Sequence, residues 1–183
     1  MRLEALALVR IGETPPEQVD DLAEGLKPVL RLPVRVEAKV LDPGFAFRTT
    51  RGQYDSRKLL TALRGVAHRE NEAVLGIADV DLFASIFTFV FGEAHLGGCS
   101  ALVSIHRLRP EMYGLPADLD LLAQRLLTES VHEIGHLQGA IHCKVPGCVM
   151  NFSGAVEEID LKNPVPCDDC ADHFIGNAGC TDS

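Results

Sequence analysis

The sequence predicts an α/β domain of the α+β kind: a mixed, mostly parallel five-stranded sheet with an antiparallel edge strand, a long active-site helix, and a C-terminal part pinned by metal. Three observations predict it. The first half alternates strand-like and helix-like segments, His132 to His142 read H-E-x-x-H-x-x-G-x-x-H, and four of the five cysteines that follow are spaced C-x4-C-x18-C-x2-C.

Taken in order, Leu3 to Ile11 read as a strand. Thr14-Pro15-Pro16-Glu17 opens a helix that runs toward Leu30, because proline is tolerated in a first turn whose N–H groups have no partner. Val34 to Val40 alternates as a second strand, and a Gly- and Arg-containing loop spans Asp42 to Gln53. Asp55 to Glu70 places leucines and alanines at helical spacing, and Ala73 to Val80 is a buried third strand. Ile86 to Glu93 and Ser100 to Arg107 are two more strands, joined across Leu96-Gly97-Gly98. Paired glycines in a short connection imply an antiparallel hairpin, which leaves Ile86 to Glu93 at the sheet edge. From Asp118, an N-cap, the active-site helix runs to about Gln138.

On that helix His132 and His136 lie four residues apart and project from one face, close enough to bind one metal ion. Glu133 is badly placed as a ligand at this spacing but well placed to take a proton from an attacking water. Gly139 lacks a Cβ, so it can adopt the left-handed conformation that ends the helix and swings His142 round as third ligand. Three protein ligands leave a position open, which is the mark of a catalytic zinc.

Cys143, Cys148, Cys167 and Cys170 have the spacing C-x4-C-x18-C-x2-C, which suits a closed tetrahedral zinc site of structural type. Consecutive side chains of an extended segment point to opposite sides, so His142 and Cys143 can serve one metal each. Disulfides, or a redox pair at Cys167-Asp168-Asp169-Cys170, are the competing readings. Cys99 reads as a small buried hydrophobe and Cys180 as a free thiol in a loose tail. His68, His95, His106 and His173 lack ligand spacing, His95 falling nearest the expected cleft.

The composite of H-E-x-x-H-x-x-G-x-x-H, Cys143, Cys148-Val149-Met150 and Cys167-Asp168-Asp169-Cys170 resembles the archaemetzincins, a family of metzincin metallopeptidases. The resemblance covers residues 132 to 170 and implies a metzincin-like zincin domain. It implies a zinc-dependent peptidase with two zinc ions per chain. His132, His136 and His142 would hold the catalytic one, the four cysteines the structural one, Glu133 would be the general base, and Met150 the Met-turn residue. It further implies that an extended peptide substrate adds to the edge strand, at Phe89, Val90, Phe91, Gly92, Glu93 and Ala94. Simple core packing is the alternative for each phenylalanine there. Two departures stand out: Phe152 occupies the place where some metzincins carry a tyrosine, and the spacer from Met150 to Cys167 is slightly short.

A chain of 183 residues that is 46% hydrophobic is one domain's worth, 1–183, with an upper part to residue 139 and a C-terminal part from 140. No apolar stretch reaches membrane-spanning length, no signal peptide is visible, and thiolate ligands fit a reducing compartment, so a soluble cytoplasmic protein is expected. The formal charge of −9 argues against nucleic acid as partner. The sequence is silent on oligomeric state. Function thus reads first as a peptidase, then as a zinc hydrolase of another amide, then as a zinc-stabilised peptide-binding module.

Overall fold

The computed structural model describes residues 3–66 and 71–176. The first part runs β1 (Ala5–Ile11), α1 (Pro16–Leu30), β2 (Val34–Leu41), β3 (Phe47–Arg48), β4 (Gln53–Asp55) and α2 (Ser56–Leu63). Then follow β5 (Glu72–Ala78), β6 (Leu82–Phe83), β7 (Gly92–Ala94), β8 (Ser100–Ser104), α3 (Leu119–Leu137), α4 (Val156–Asp160) and α5 (Asp168–Gly176).

The main sheet has the order β2-β1-β5-β8-β7. Its first four strands are parallel and β7 closes the edge antiparallel to β8, as the hairpin glycines imply. Every residue of β5 and β8 is buried, because helices cover both faces of a parallel sheet. Leu22 and Leu26 of α1 and Leu122, Leu126 and Val131 of α3 pack with Leu6, Leu75 and Val103 on one face. On the other, Leu59, Leu60 and Leu63 of α2 meet Val9, Val74 and Leu102. The full set forms two apolar layers around one sheet, which sets α3 directly behind β7 and β8.

Three expectations are corrected. The predicted strand from Ile86 to Glu93 pairs only over Gly92–Ala94, opposite Ala101 to Val103. Upstream, the backbone groups are spent elsewhere: Val90 N donates to Leu82 O, and the Arg51 guanidinium donates to the carbonyls of Phe87 and Thr88. No ladder can form there, and Ile86 is 86% exposed. The predicted helix from Asp55 ends at Leu63, and the last four residues of that prediction, 67–70, lie outside the described residues. The loop from Asp42 to Gln53 carries β3 and leads into β4 at its last residue, and these two strands make a small second sheet with β6.

The C-terminal part is fastened by Arg125. Its side chain is 3% exposed, forks onto the Asp160 carboxylate at 2.7 Å and donates to Leu108 O at 2.9 Å, tying α3 to α4 and to the loop after β8. Among the described residues no helix is long and apolar enough to cross a membrane.

Candidate metal centres and active-site cleft

Helix α3 starts where Asp118 accepts a hydrogen bond from Leu121 N at 2.9 Å. Its last two turns carry Glu129, His132, Glu133 and His136 on one face. Gly139, at φ +85°, ends the helix: Gly139 N donates to His136 O and Ala140 N to Gly135 O, both at 3.0 Å. The chain then turns back and brings His142 to the histidine pair. The three imidazoles form a group whose candidate ligand atoms all lie within 4.8 Å of one another.

Carbonyls fix how the rings are presented. His132 Nδ1 lies 2.8 Å from Val149 O and His136 Nδ1 2.8 Å from Ala140 O. A carbonyl only accepts, so both Nδ1 atoms carry the proton and both Nε2 atoms present lone pairs, as metal-binding histidines do. Those two Nε2 atoms stand 3.1 Å apart. A tetrahedral zinc with bonds near 2.0–2.1 Å would hold them roughly 3.3 Å apart, so the set fits. Burial lowers the pKa of all three imidazoles, and of His132 well below its ordinary value, which keeps them neutral and free to ligate.

Met150 is fully buried beneath this group. A Cβ on Gly135 would come within 2.3 Å of the Met150 Sδ, so the glycine inside the helix makes the seat for the methionine. Phe152, in the place of the absent tyrosine, lies with its ring centre 5.3 Å from that of His142 and stiffens this otherwise exposed residue from outside.

Cys143, Cys148, Cys167 and Cys170 converge as a second group, again with ligand atoms within 4.8 Å of one another, and all four are free thiols. Cys143 pairs backbone to backbone with Asn151, its N–H donating to Met150 O at 2.8 Å, so the segments bearing the two groups are locked together. Cys143 Sγ and Cys167 Sγ are 3.8 Å apart. That is far beyond a disulfide bond, and close to the roughly 3.8 Å edge of a tetrahedron with Zn–S bonds near 2.3 Å. Burial raises the Cys148 and Cys170 thiols, so thiolates here call for a cation. Cys170 lies in the first turn of α5, a helix that the sequence reading had not assigned.

The cleft in front of the histidines has a volume of about 320 Å³. All six residues of the nominated edge segment, Phe89 to Ala94, line it. Phe89 and Phe91 also pack edge to face at 5.3 Å, so they serve core and cleft together. Glu133 is 4% exposed, and its Oε2 has no hydrogen-bond partner. It fits beneath β7 because Gly92 has no Cβ, which would stand 2.7 Å from Glu133 Oε1. Burial raises the Glu133 pKa well above the ordinary carboxylate range, and the charges of Glu129 and Glu93 add to the effect.

Sequence reasoning missed Glu129, Ser153 and Lys162. Glu129 lines the cleft floor one helical turn before Glu133, and Ser153 lines its wall; each has a buried oxygen without a partner. Lys162, 5% exposed and with a partnerless Nζ, lies among the same carboxylates, and burial lowers its pKa. A carboxylate on the apolar stripe of α3, in step with Leu122 and Leu126, was the available signal for Glu129. For Lys162 the sequence held no signal.

Burial raises the Glu129 pKa to about 7, against the opposing pull of Lys162. An acid with a raised folded pKa binds more protons folded than unfolded between about pH 4.5 and 7, so its contribution weakens stability as pH rises through that window. Denaturant titrations of the metal-free protein at pH 5 and pH 7.5 should show this fall. In Glu129→Gln the fall should shrink by up to about 3 kcal/mol, and an unchanged fall would clear Glu129 of causing it.

The remaining expectations resolve simply. His95 Nδ1 lies 2.9 Å from Ser100 Oγ, and neither His95, His106 nor His173 joins a metal-ligating group among the described residues. Cys99 is half-buried and disulfide-bonded, a correction to its reading as a small buried hydrophobe, because its sulfur is spent on a covalent bond. His68 and Cys180 lie outside the described residues.

Comparison with known proteins agrees with this geometry. The model of Peptidase family M54 matches residues 18–175. An archaemetzincin of Methanocaldococcus jannaschii is 46% identical over 132 residues, 72% of each chain. One of Pyrococcus furiosus is 37% identical over 180 residues, 91% of this chain and 90% of its own. The crystal structure of a zinc-dependent peptidase from Methanocorpusculum labreanum superposes with a TM-score of 0.82 at 31% identity, covering 92% of this chain and 99% of that one. With family, relatives and fold in agreement, the chain belongs to peptidase family M54, the family of the archaemetzincins, and is a zinc metallopeptidase.

Proposed function

We propose that this metallopeptidase hydrolyses peptide bonds at the three-histidine group, with Glu133 as general base, and that a second, structural zinc on the four cysteines holds the C-terminal part from residue 140 in place. The observation that carries the reading is the buried, unpartnered Glu133 oxygen beside converging imidazole lone pairs at the floor of a cleft. Zinc, when bound by His132, His136 and His142, supplies Lewis acidity that acidifies water and polarises a carbonyl.

Glu133 then takes the proton from the attacking water and hands it to the leaving nitrogen. Gly92 keeps β7 close enough to cover the carboxylate and exclude bulk water from it. The free edge of β7 offers backbone groups to an extended substrate, and Phe89 and Phe91 give that substrate an apolar rest. Phe152, in the place of a tyrosine, supplies no hydroxyl to a developing oxyanion.

Zinc content and hydrolysis of a mixed peptide library, measured on protein purified without added metal, test this reading. Two zincs per chain and cleavage at defined positions are expected. One zinc, or cleavage of non-peptide amides alone, would overturn it.

A further inference from the structure

Besides the cleft, the described residues enclose a larger recess, of about 960 Å³, between Phe45 to Arg51, α2 and the segment after β6. Arg48, Arg51, Arg57 and Lys58 line it, against the single carboxylate of Asp55. That is a cationic hollow on a chain of net charge −9. By contrast, three arginines elsewhere are closed on carboxylates: Arg107 forks onto Asp81, Arg109 onto Asp79 and Arg125 onto Asp160. In the recess the closest carboxylate contacts, Arg48 to Asp55 and Arg57 to Glu93, are loose at 3.6 Å. Arg51 donates to the carbonyls of Phe87 and Thr88 at 3.1 Å and lies 4.2 Å above the Phe83 ring, while Lys58 reaches Phe45 O at 3.5 Å. Carbonyls and rings orient a cation without neutralising it, so the charges of Arg51 and Lys58 are oriented and left available.

The recess shares a wall with the cleft. Phe83 and Ser85 line the recess while Ala84 between them lines the cleft, and the Arg57–Glu93 pair bridges from one cavity to the other. A chain continuing from the cleft over that wall would reach the recess.

We infer that this recess is an exosite for an acidic segment of the peptide substrate, lying beyond the residues held at the metal centre. The inference rests on the peptidase reading for the identity of its ligand. The Arg51 guanidinium, held on carbonyls, and the exposed, loosely paired Arg48 and Arg57 suit carboxylates, and the half-exposed Phe45 offers an apolar flank to the peptide stem.

The test uses the zinc-loaded Glu133→Gln chain, so that binding is read without turnover. Fluorescence anisotropy with a labelled hexaglutamate peptide should show binding at least about tenfold tighter than with hexaglutamine, weakening as salt is raised. Arg48→Glu combined with Lys58→Glu should cost hexaglutamate about tenfold or more, with the melting temperature unchanged. If that pair fails to fold, Arg48→Gln with Lys58→Gln should give a smaller loss in the same direction. In the active chain an acidic tail on a cleavable peptide should lower KM and leave kcat alone, an advantage the double variants lose. Equal affinity for the two hexapeptides, or undiminished binding by the folded variants, would overturn the exosite. Tighter binding of a single-stranded oligonucleotide of equal charge would overturn its assignment to peptide. Absence of cleavage by the parent chain, with acidic binding intact, would count against the peptidase reading and not against the recess.

Discussion

Replacing Glu133 by glutamine is expected to lower turnover about a thousandfold while zinc content stays at the parent value. Glutamine keeps the volume that fits beneath Gly92, where a Cβ would already stand 2.7 Å from Oε1, so β7 and the cleft should keep their shape. What is lost is the basic oxygen. The three imidazoles take their orientation from Val149 O, Ala140 O and the Phe152 ring, none of which involves Glu133. Metal binding therefore survives, and KM should change little. Steady-state kinetics with zinc analysis on the same preparation check this; turnover within tenfold of the parent at full zinc occupancy would remove Glu133 as the base.

The second large effect concerns the thiols. Cys148→Ala should remove one zinc per chain and cost more than about 4 kcal/mol of stability, because a closed structural metal site contributes its binding energy to folding. The damage should then travel. Cys148 is followed by Val149, whose carbonyl orients His132, and by Met150, which sits against Gly135. Cys143 is the neighbour of His142 and is hydrogen-bonded to Met150. Loosening the thiol site therefore misplaces two of the three imidazoles and the residue beneath them, and hydrolysis should fall with stability. Thermal melting with chelator and with reductant, applied separately to the parent, decides between metal and disulfide: chelator alone should destabilise the region. Destabilisation by reductant without metal loss, seen equally in a Cys99→Ala background that lacks the Cys99 disulfide, would identify disulfides among these four thiols instead.

Helix α1 was read to its observed ends because its limits are written locally, in Pro15-Pro16 and in the end of the apolar spacing at Leu30. The histidines, and the cysteines within each of the pairs Cys143/Cys148 and Cys167/Cys170, were legible for a related reason: residues separated by one helical turn or one tight loop meet through local geometry. The edge strand was half legible. Its alternating phenylalanines have strand character, but pairing depends on where β8 runs and on Arg51 drawing the Phe87 and Thr88 carbonyls away. Helices α4 and α5 carry too few apolar positions to show a period, and packing against α3 and the thiol group forms them.

By itself, then, the sequence determined the helix that bears the H-E-x-x-H motif, the grouping of three histidines and of four cysteines, and the parallel β-α-β frame behind them, and it nominated Glu133 as the base, since each is a pattern of period or spacing along the chain. Only the tertiary structure decided what surrounds the base. Gly92 comes from the sheet edge, Ser153 from beyond the methionine turn and Lys162 from past α4, and the basic recess joins the Phe45 to Arg51 loop with α2 and the segment after β6. Residues far apart in the chain meet only when burial of the two apolar layers brings their elements together, and no period or local spacing records that meeting.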